Sequence, residues 1–168
     1  MPMDTYQTII SKRDLRQYTE TPIPEDVLGR VLQAARMAGS AKNVEPNRLV
    51  LVTDQEVQDA LTSAGDFTSW IGLSPMIVGI AAQEEALRLF DTGRTAQNLM
   101  LAAHAEGLGT CPVTLQHQEV ARAAIGFPDD WVMPMAVTMG WPDPEAPKSP
   151  LARPRVAMDD LVVQNRWA

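Results

Sequence analysis

A chain of 168 residues with 45% hydrophobic and 21% charged side chains has the length and balance of one globular domain with a sizeable core. Its formal net charge of −7 argues against broad nucleic-acid binding, which draws on surplus Lys and Arg to meet the phosphate backbone. The single cysteine, Cys111, rules out an intrachain disulfide, and the segment from Met1 to Ile10 lacks the apolar core of a signal peptide. No apolar run approaches the roughly 20 residues that span a bilayer, so the expectation is a cytoplasmic protein with neither a membrane nor a nucleic-acid partner.

In chain order, Asp4 caps a short helix through Ser11, with Tyr6, Ile9 and Ile10 on one face. The basic hexapeptide Ser11-Lys12-Arg13-Asp14-Leu15-Arg16 ends it. Thr21-Pro22-Ile23-Pro24-Glu25-Asp26 starts a second helix, whose Val27, Leu28, Val31, Leu32 and Ala35 form one apolar stripe. That helix delivers the chain to a polar loop, Gly39-Ser40-Ala41-Lys42-Asn43. Leu49 to Val52 reads as a buried strand, and Asp54 caps a helix carrying Val57 and Leu61. Ser74-Pro75 precedes a strand from Met76 to Ala81.

A long helix is expected from about Glu84, broken near Asp91, to Glu106, with Gly107 as its stop. Thr92, Ala96, Leu99 and Ala103 line one of its faces. Cys111 to Val113 is a short extended segment, Gln118 to Ile125 a short helix, and Val132 to Met139 a third strand. Five prolines in the thirteen residues from Pro142 to Pro154 make an extended arm, and Met158 to Trp167 reads as a closing helix. Helices outnumber strands and alternate with them irregularly, which favours an α+β fold over a doubly wound sheet. Residues 1–141 are expected to form the core of a single domain. Residues 142–168 are expected to form an arm that reaches across a partner in a symmetric dimer, with a disordered tail as the alternative.

Several chemistries lack a motif. His104, Cys111 and His117 have no standard zinc spacing, so no metal is expected, and Cys111 reads as a buried structural thiol. There is neither a P-loop nor a G-x-G-x-x-G. What remains is basic character at two distant places, Lys12, Arg13 and Arg16 with Arg153 and Arg155. Taken alone, the hexapeptide reads more readily as a solvated charged turn, and the arm pair equally as a polar arm or as an anion clamp; together they suit a small phosphorylated ligand.

The ordered set of motifs resembles the FMN-dependent nitroreductase family over nearly the whole chain. Lys12-Arg13-Asp14-Leu15-Arg16-Gln17-Tyr18 looks like the family's Arg-Arg-Ser-Val-Arg-x-Phe segment. Residues Gly39 to Arg48 resemble its Pro-Ser-x-x-Asn-x-Gln-Pro-Trp-Arg loop, with Gly39, Glu45 and Asn47 as departures. Asp91 to Gly109 resembles the long central helix and its stop. Ile125 to Asp130, Met139 to Pro142 and Arg153-Pro154-Arg155 look like later landmarks.

The resemblance implies a nitroreductase-like α+β fold with a central, mostly antiparallel sheet flanked by helices. It also implies a homodimer with FMN at the subunit interface and the C-terminal arm exchanged. By the same resemblance Lys12, Arg13, Arg153 and Arg155 would hold the phosphate and ribityl end, and Arg16 would approach the flavin pyrimidine edge. Asp14 stands where a serine is common and is tolerated beside the flavin only if a cation pairs with it. Ser40, Ala41 and Asn43 would contact the flavin, Ser40 and Ala41 from the partner subunit. Pro112, Val113 and Thr114 would lie beside the ring.

No side chain is then expected to act as a nucleophile. The implied activity moves hydride from NADH or NADPH through the flavin to a small oxidised acceptor such as a quinone or nitroaromatic. Two alternatives keep the fold: a specialised redox substrate, or a flavin-sequestering protein without efficient turnover. Phe67, Trp70 and the stretch 114–118 read either as cleft lining or as ordinary packing.

Overall fold

The computed structural model describes residues 4–147 and 154–166. The first helix, α1 (Thr5–Ser11), is capped by Asp4, whose carboxylate accepts from the Gln7 N–H at 3.0 Å. Helix α2 (Glu25–Arg36) opens with Glu25 and Asp26, two acids placed where the helix dipole favours them. Helix α3 (Gln55–Leu61) is capped by Asp54, which accepts from Glu56 and Val57. Helices α4 (Leu89–Ala105) and α5 (Gln118–Ile125) follow, and the four-residue α6 (Met158–Leu161) lies on the arm.

The strands are β1 (Asn47–Val52), β2 (Met76–Gln83), β3 (Gly109–Thr114) and β4 (Trp131–Gly140). They form one antiparallel sheet in the order β1-β2-β4-β3, so β1 and β3 are its opposite edges. The α+β reading holds, with a complete fourth strand where the sequence suggested only a short extended segment.

Each face of the sheet carries its own core. On one, Val31 and Ala35 of α2 and Ala96, Leu99 and Ala103 of α4 pack against Val78, Ile80, Val137 and Met139. On the other, Leu61 of α3 and Ala121 of α5 pack against Ile77, Ala81, Met133 and Ala136. β2 is therefore apolar at nearly every position, because both of its faces are covered. A bulge interrupts β4: Ile80 pairs with Met135 but Ala82 pairs with Val132, so β4 spends one extra residue beside Pro134. The bulge reverses the alternation, which is why Met133 faces the α3/α5 side while Val137 and Met139 face α2 and α4.

Three expectations are corrected. The long helix begins at Leu89, after a separate 3-10 turn at Glu84–Ala86, with extended backbone at Leu87 and Arg88. Asp91 does not break it. Buried in the first turn, its carboxylate accepts the Ala41 N–H at 2.9 Å. At the C-terminus only Met158–Leu161 is helical, and Trp167 lies outside the described residues. The face of α1 that carries Tyr6, Ile9 and Ile10 is exposed in the single chain, with Tyr6 at 69%.

Candidate active site

Two glycines bring the basic segment down onto the sheet. Gly109 of β3 faces Gly140 of β4. A Cβ at Gly109 would lie 3.0 Å from Leu15 Cδ1, and one at Gly140 would lie 2.9 Å from Tyr18 Cβ. Across this shallow spot Asp14 bridges to Thr110 in parallel, Leu15 donates its N–H to the Thr110 carbonyl at 2.9 Å, and Tyr18 bridges to Pro142. The Tyr18 hydroxyl lies 2.8 Å from Thr138 Oγ1, and burial holds its ionisation well above the usual phenol range. The segment 14–18 is thus stitched along the edge of β3.

The three cations there have different partners. Lys12 Nζ pairs with the Asp14 carboxylate and touches Met100 Sδ of α4 at 3.5 Å. This supplies the cation that Asp14 needed, from Lys12 rather than from an arginine. Arg13 folds back to donate to the carbonyls of Ile10 and Lys12, both at 2.8 Å. Arg16 has no carboxylate within ion-pair distance among the described residues. Its guanidinium lies 4.9 Å from the centre of the Trp70 ring. Burial pushes the Cys111 thiol up, which keeps it neutral, and the positive charge of Arg16 opposes that only in part. Thr110 Oγ1 is buried beside this segment without a hydrogen-bond partner.

Pro112, Val113 and Thr114 continue along β3 and grow steadily more exposed toward Thr114. With Leu115, Gln118, Leu89 and Met135, Thr114 borders a groove of about 460 Å³. The segment 65–70, which sequence reasoning left undecided, packs on the same edge. A Cβ at Gly65 would lie 2.5 Å from the Thr114 carbonyl, and Asp66 reaches both Gln116 and His117. Trp70 is thereby the site residue that sequence alone could not assign, since its only signal was an aromatic side chain on a loop.

The loop bearing Ser40, Ala41 and Asn43 lies elsewhere. It leads into β1, at the far edge of the sheet from β3, and its backbone is held by Asp91. Ser40 Oγ accepts from the Glu45 N–H at 2.9 Å, and Lys42, Asn43 and Glu45 adopt positive φ. With the Ala41 N–H given to Asp91 and its carbonyl to Val44, Ala41 offers a ligand its methyl group. Gly39 has a local reason: a Cβ there would lie 2.6 Å from Arg94 Nη2. A groove of about 580 Å³, bordered by Leu32, Arg36, Ser40, Arg48 and Leu51, runs between α2 and β1.

The two groups of residues can be gauged along α4. The loop is anchored at Asp91 and Lys12 at Met100, nine residues on, which is about 14 Å of helix rise. A single chain does not bring Ser40 and Ala41 to Lys12 and Arg16. Arg155 is exposed on the arm, and Arg153 lies outside the described residues.

The nitroreductase family model matches residues 9–65 and 72–141. The chain belongs to the nitroreductase family. It is 26% identical to a protein of Thermus thermophilus named NADH dehydrogenase, over 85% of this chain and 89% of that one. It is 24% identical to an NADPH-flavin oxidoreductase of Vibrio harveyi, over 98% and 75% respectively. The solved structure of a nitroreductase family protein from Clostridium difficile superposes with a TM-score of 0.85 at 21% identity, covering 98% of this chain and all of that one.

Family membership makes this chain an oxidoreductase that depends on FMN and takes electrons from NAD(P)H. The residues present fit that cofactor. Arg16 is a fixed cation without a carboxylate partner, and Arg13 is an exposed one. Among the described residues no group of three or more His, Cys, Asp and Glu could hold a metal ion, and no helix is long and apolar enough to cross a membrane.

Proposed function

We propose that this family member reduces small oxidised acceptors of the quinone or nitroaromatic type, as a homodimer with its sites at the interface. Bound FMN would supply the hydride-relay chemistry between nicotinamide and acceptor. The protein's part is to bind, orient and stabilise charge. Lys12 and Arg13, with Arg153 and Arg155 of the arm, hold the anionic phosphate tail. Arg16 presents a guanidinium to the negative charge that reduction places on the pyrimidine edge. Pro112, Val113 and Thr114 form the wall beside the ring, and Ser40, Ala41 and Asn43 close the site, Ser40 and Ala41 from the second subunit.

The observation that carries this reading is the Arg16 guanidinium, without a carboxylate partner among the described residues and stacked over Trp70. The dimer is supported by surface that one chain leaves bare. Tyr6, Ile9 and Ile10 of α1, Leu89 and Phe90 of α4, and Val156, Leu161, Val162 and Val163 of the arm are all exposed. Apolar exposure on this scale marks a contact surface. Every described arm residue from Pro154 to Arg166 is exposed, so its own subunit leaves this stretch of the arm largely uncovered.

The test is spectroscopic. Protein purified in the presence of FMN should be yellow, bleach anaerobically with NADH or NADPH, and recover colour when a quinone or a nitroaromatic is added. Bleaching without reoxidation by either acceptor would overturn the acceptor class. Yellow protein that neither nicotinamide bleaches would point to a specialised redox substrate or to flavin sequestration.

A further inference from the structure

We infer that Trp70 is a positioning residue whose indole face holds the Arg16 guanidinium ready for the cofactor, so that Trp70 sets part of the flavin's reduction potential without needing to touch it. The inference rests on the FMN reading above and goes beyond it to a residue and a measurable property.

An arginine side chain has many rotamers, which dilutes the field of a freely moving guanidinium. Preorganised charge acts at full strength when negative charge appears, whereas a mobile one must first be ordered. Arg16 is an exposed side chain on an irregular segment, so something outside its own backbone has to fix it. One contact does. The Trp70 ring lies 4.9 Å from Arg16 Cζ, within the range of a cation–π interaction.

Trp70 can serve as a support because it is itself immobilised. Its Nε1 donates to the Phe67 carbonyl at 2.9 Å, and its own carbonyl accepts from the Leu73 N–H at 3.2 Å. Next along, Ile71 is fully buried in the α3/α5 core. Two residues before, Thr68 is buried with its hydroxyl 2.8 Å from both the Thr62 and Gly65 carbonyls. Gly65 presses against the Thr114 carbonyl, and the Asp66 carboxylate meets His117 Nε2 at 3.1 Å. The segment 65–71 is therefore a brace anchored both in the core and on the turn that follows β3, with Trp70 at its Arg16 end.

A cation–π contact at a partly exposed site is a modest support, and a stronger one where water is excluded. Losing it should weaken the preference for reduced over oxidised FMN by about twofold to fivefold. At about 30 mV per tenfold for a two-electron couple, that is a drop of about 10–20 mV in midpoint potential.

The experiment is a potentiometric titration of FMN-loaded protein, with oxidised-FMN affinity measured in parallel, for wild type, Trp70→Phe, Trp70→Leu, Arg16→Ala and Arg16→Ala/Trp70→Leu. Trp70→Leu keeps apolar bulk without a π face and should lower the potential, whereas Trp70→Phe should retain most of it. In the Arg16→Ala background, Trp70→Leu should add nothing, because the support has lost what it supports. An unchanged potential in Trp70→Leu would overturn the inference, and so would an equal drop with and without Arg16. Wild-type protein that binds no FMN would instead sink the reading on which the inference rests.

Discussion

At the scale of single residues, the basic hexapeptide divides its charges. Lys12 is committed to Asp14 and to the Met100 thioether, Arg13 to backbone carbonyls, and Arg16 to the face of Trp70, with no ion pair to an acid among the described residues. If Lys12 holds the cofactor phosphate as proposed, Asp14 competes for it. Replacing Asp14 with asparagine should therefore tighten FMN binding by about threefold to tenfold, read by quenching of flavin fluorescence, with a steeper salt dependence as Lys12 is released.

His104 supplies a residue-scale pH effect. Its ring meets Ser11 Oγ at 2.9 Å, and partial burial first, then the charges of Lys12 and Arg13, lower its ionisation below 6.5. A group protonated less readily in the folded state leaves stability intact above the unfolded value and removes it as pH falls. Urea unfolding should show wild type losing stability as pH falls from 6.5 through the lowered value. His104→Gln should lose less over that window.

At the scale of elements, the pairing of Gly109 with Gly140 positions the site. It lowers the sheet surface enough for the segment 14–18 to lie on it as a partial extra strand. A methyl at Gly140 would lie 2.5 Å from Pro75 Cγ and 2.9 Å from Tyr18 Cβ, and both are stiff obstacles. Gly140→Ala should destabilise the protein by about 1–3 kcal/mol in urea unfolding. It should also reduce FMN affinity more than an equally destabilising change in the α3/α5 core, because it displaces the strand that carries Arg16. The β4 bulge beside Pro134 matters in the same way, since it sets which side of the sheet each residue from 131 to 135 faces.

At the scale of the whole molecule, one chain carries its loop at the β1 edge and its cation at the β3 edge, with bare apolar surface on α1, α4 and the arm. The proposed symmetric dimer would answer both conditions at once, by covering that surface and supplying each site with the other chain's loop. Changing Leu161 and Val163 to aspartate should shift the mass in solution from twice 18.4 kDa to 18.4 kDa, as read by light scattering. Bound FMN should be lost in the same step. A variant that stays dimeric and keeps its flavin would remove the arm from both roles.

Much of this was legible in the sequence because it is local. Asp4 and Asp54 cap helices through hydrogen bonds within three residues, the stripe on α2 is periodic, and the strands at 49–52 and 76–81 are apolar runs. The motifs around Lys12, Gly39 and Asp91 marked the family for the same reason, since each is a short stretch whose order along the chain survives without any contact. The start of α4 was misjudged because Glu84–Ala86 is helix-like in composition, and its separate turn is settled by the Glu84 N–H bonding to Asp130 across the sheet.

Only the tertiary structure could decide that Asp91 anchors the Ser40 loop, that Asp14 is answered by Lys12, and that Trp70 lies under Arg16, 54 residues earlier in the chain. Such contacts join residues whose separation carries no periodicity and whose types are common on any surface. Residue type and spacing therefore determined the elements and the family of this chain. Which side chains share a site was decided by packing two cores on one sheet, because that alone brings distant residues within a few ångströms.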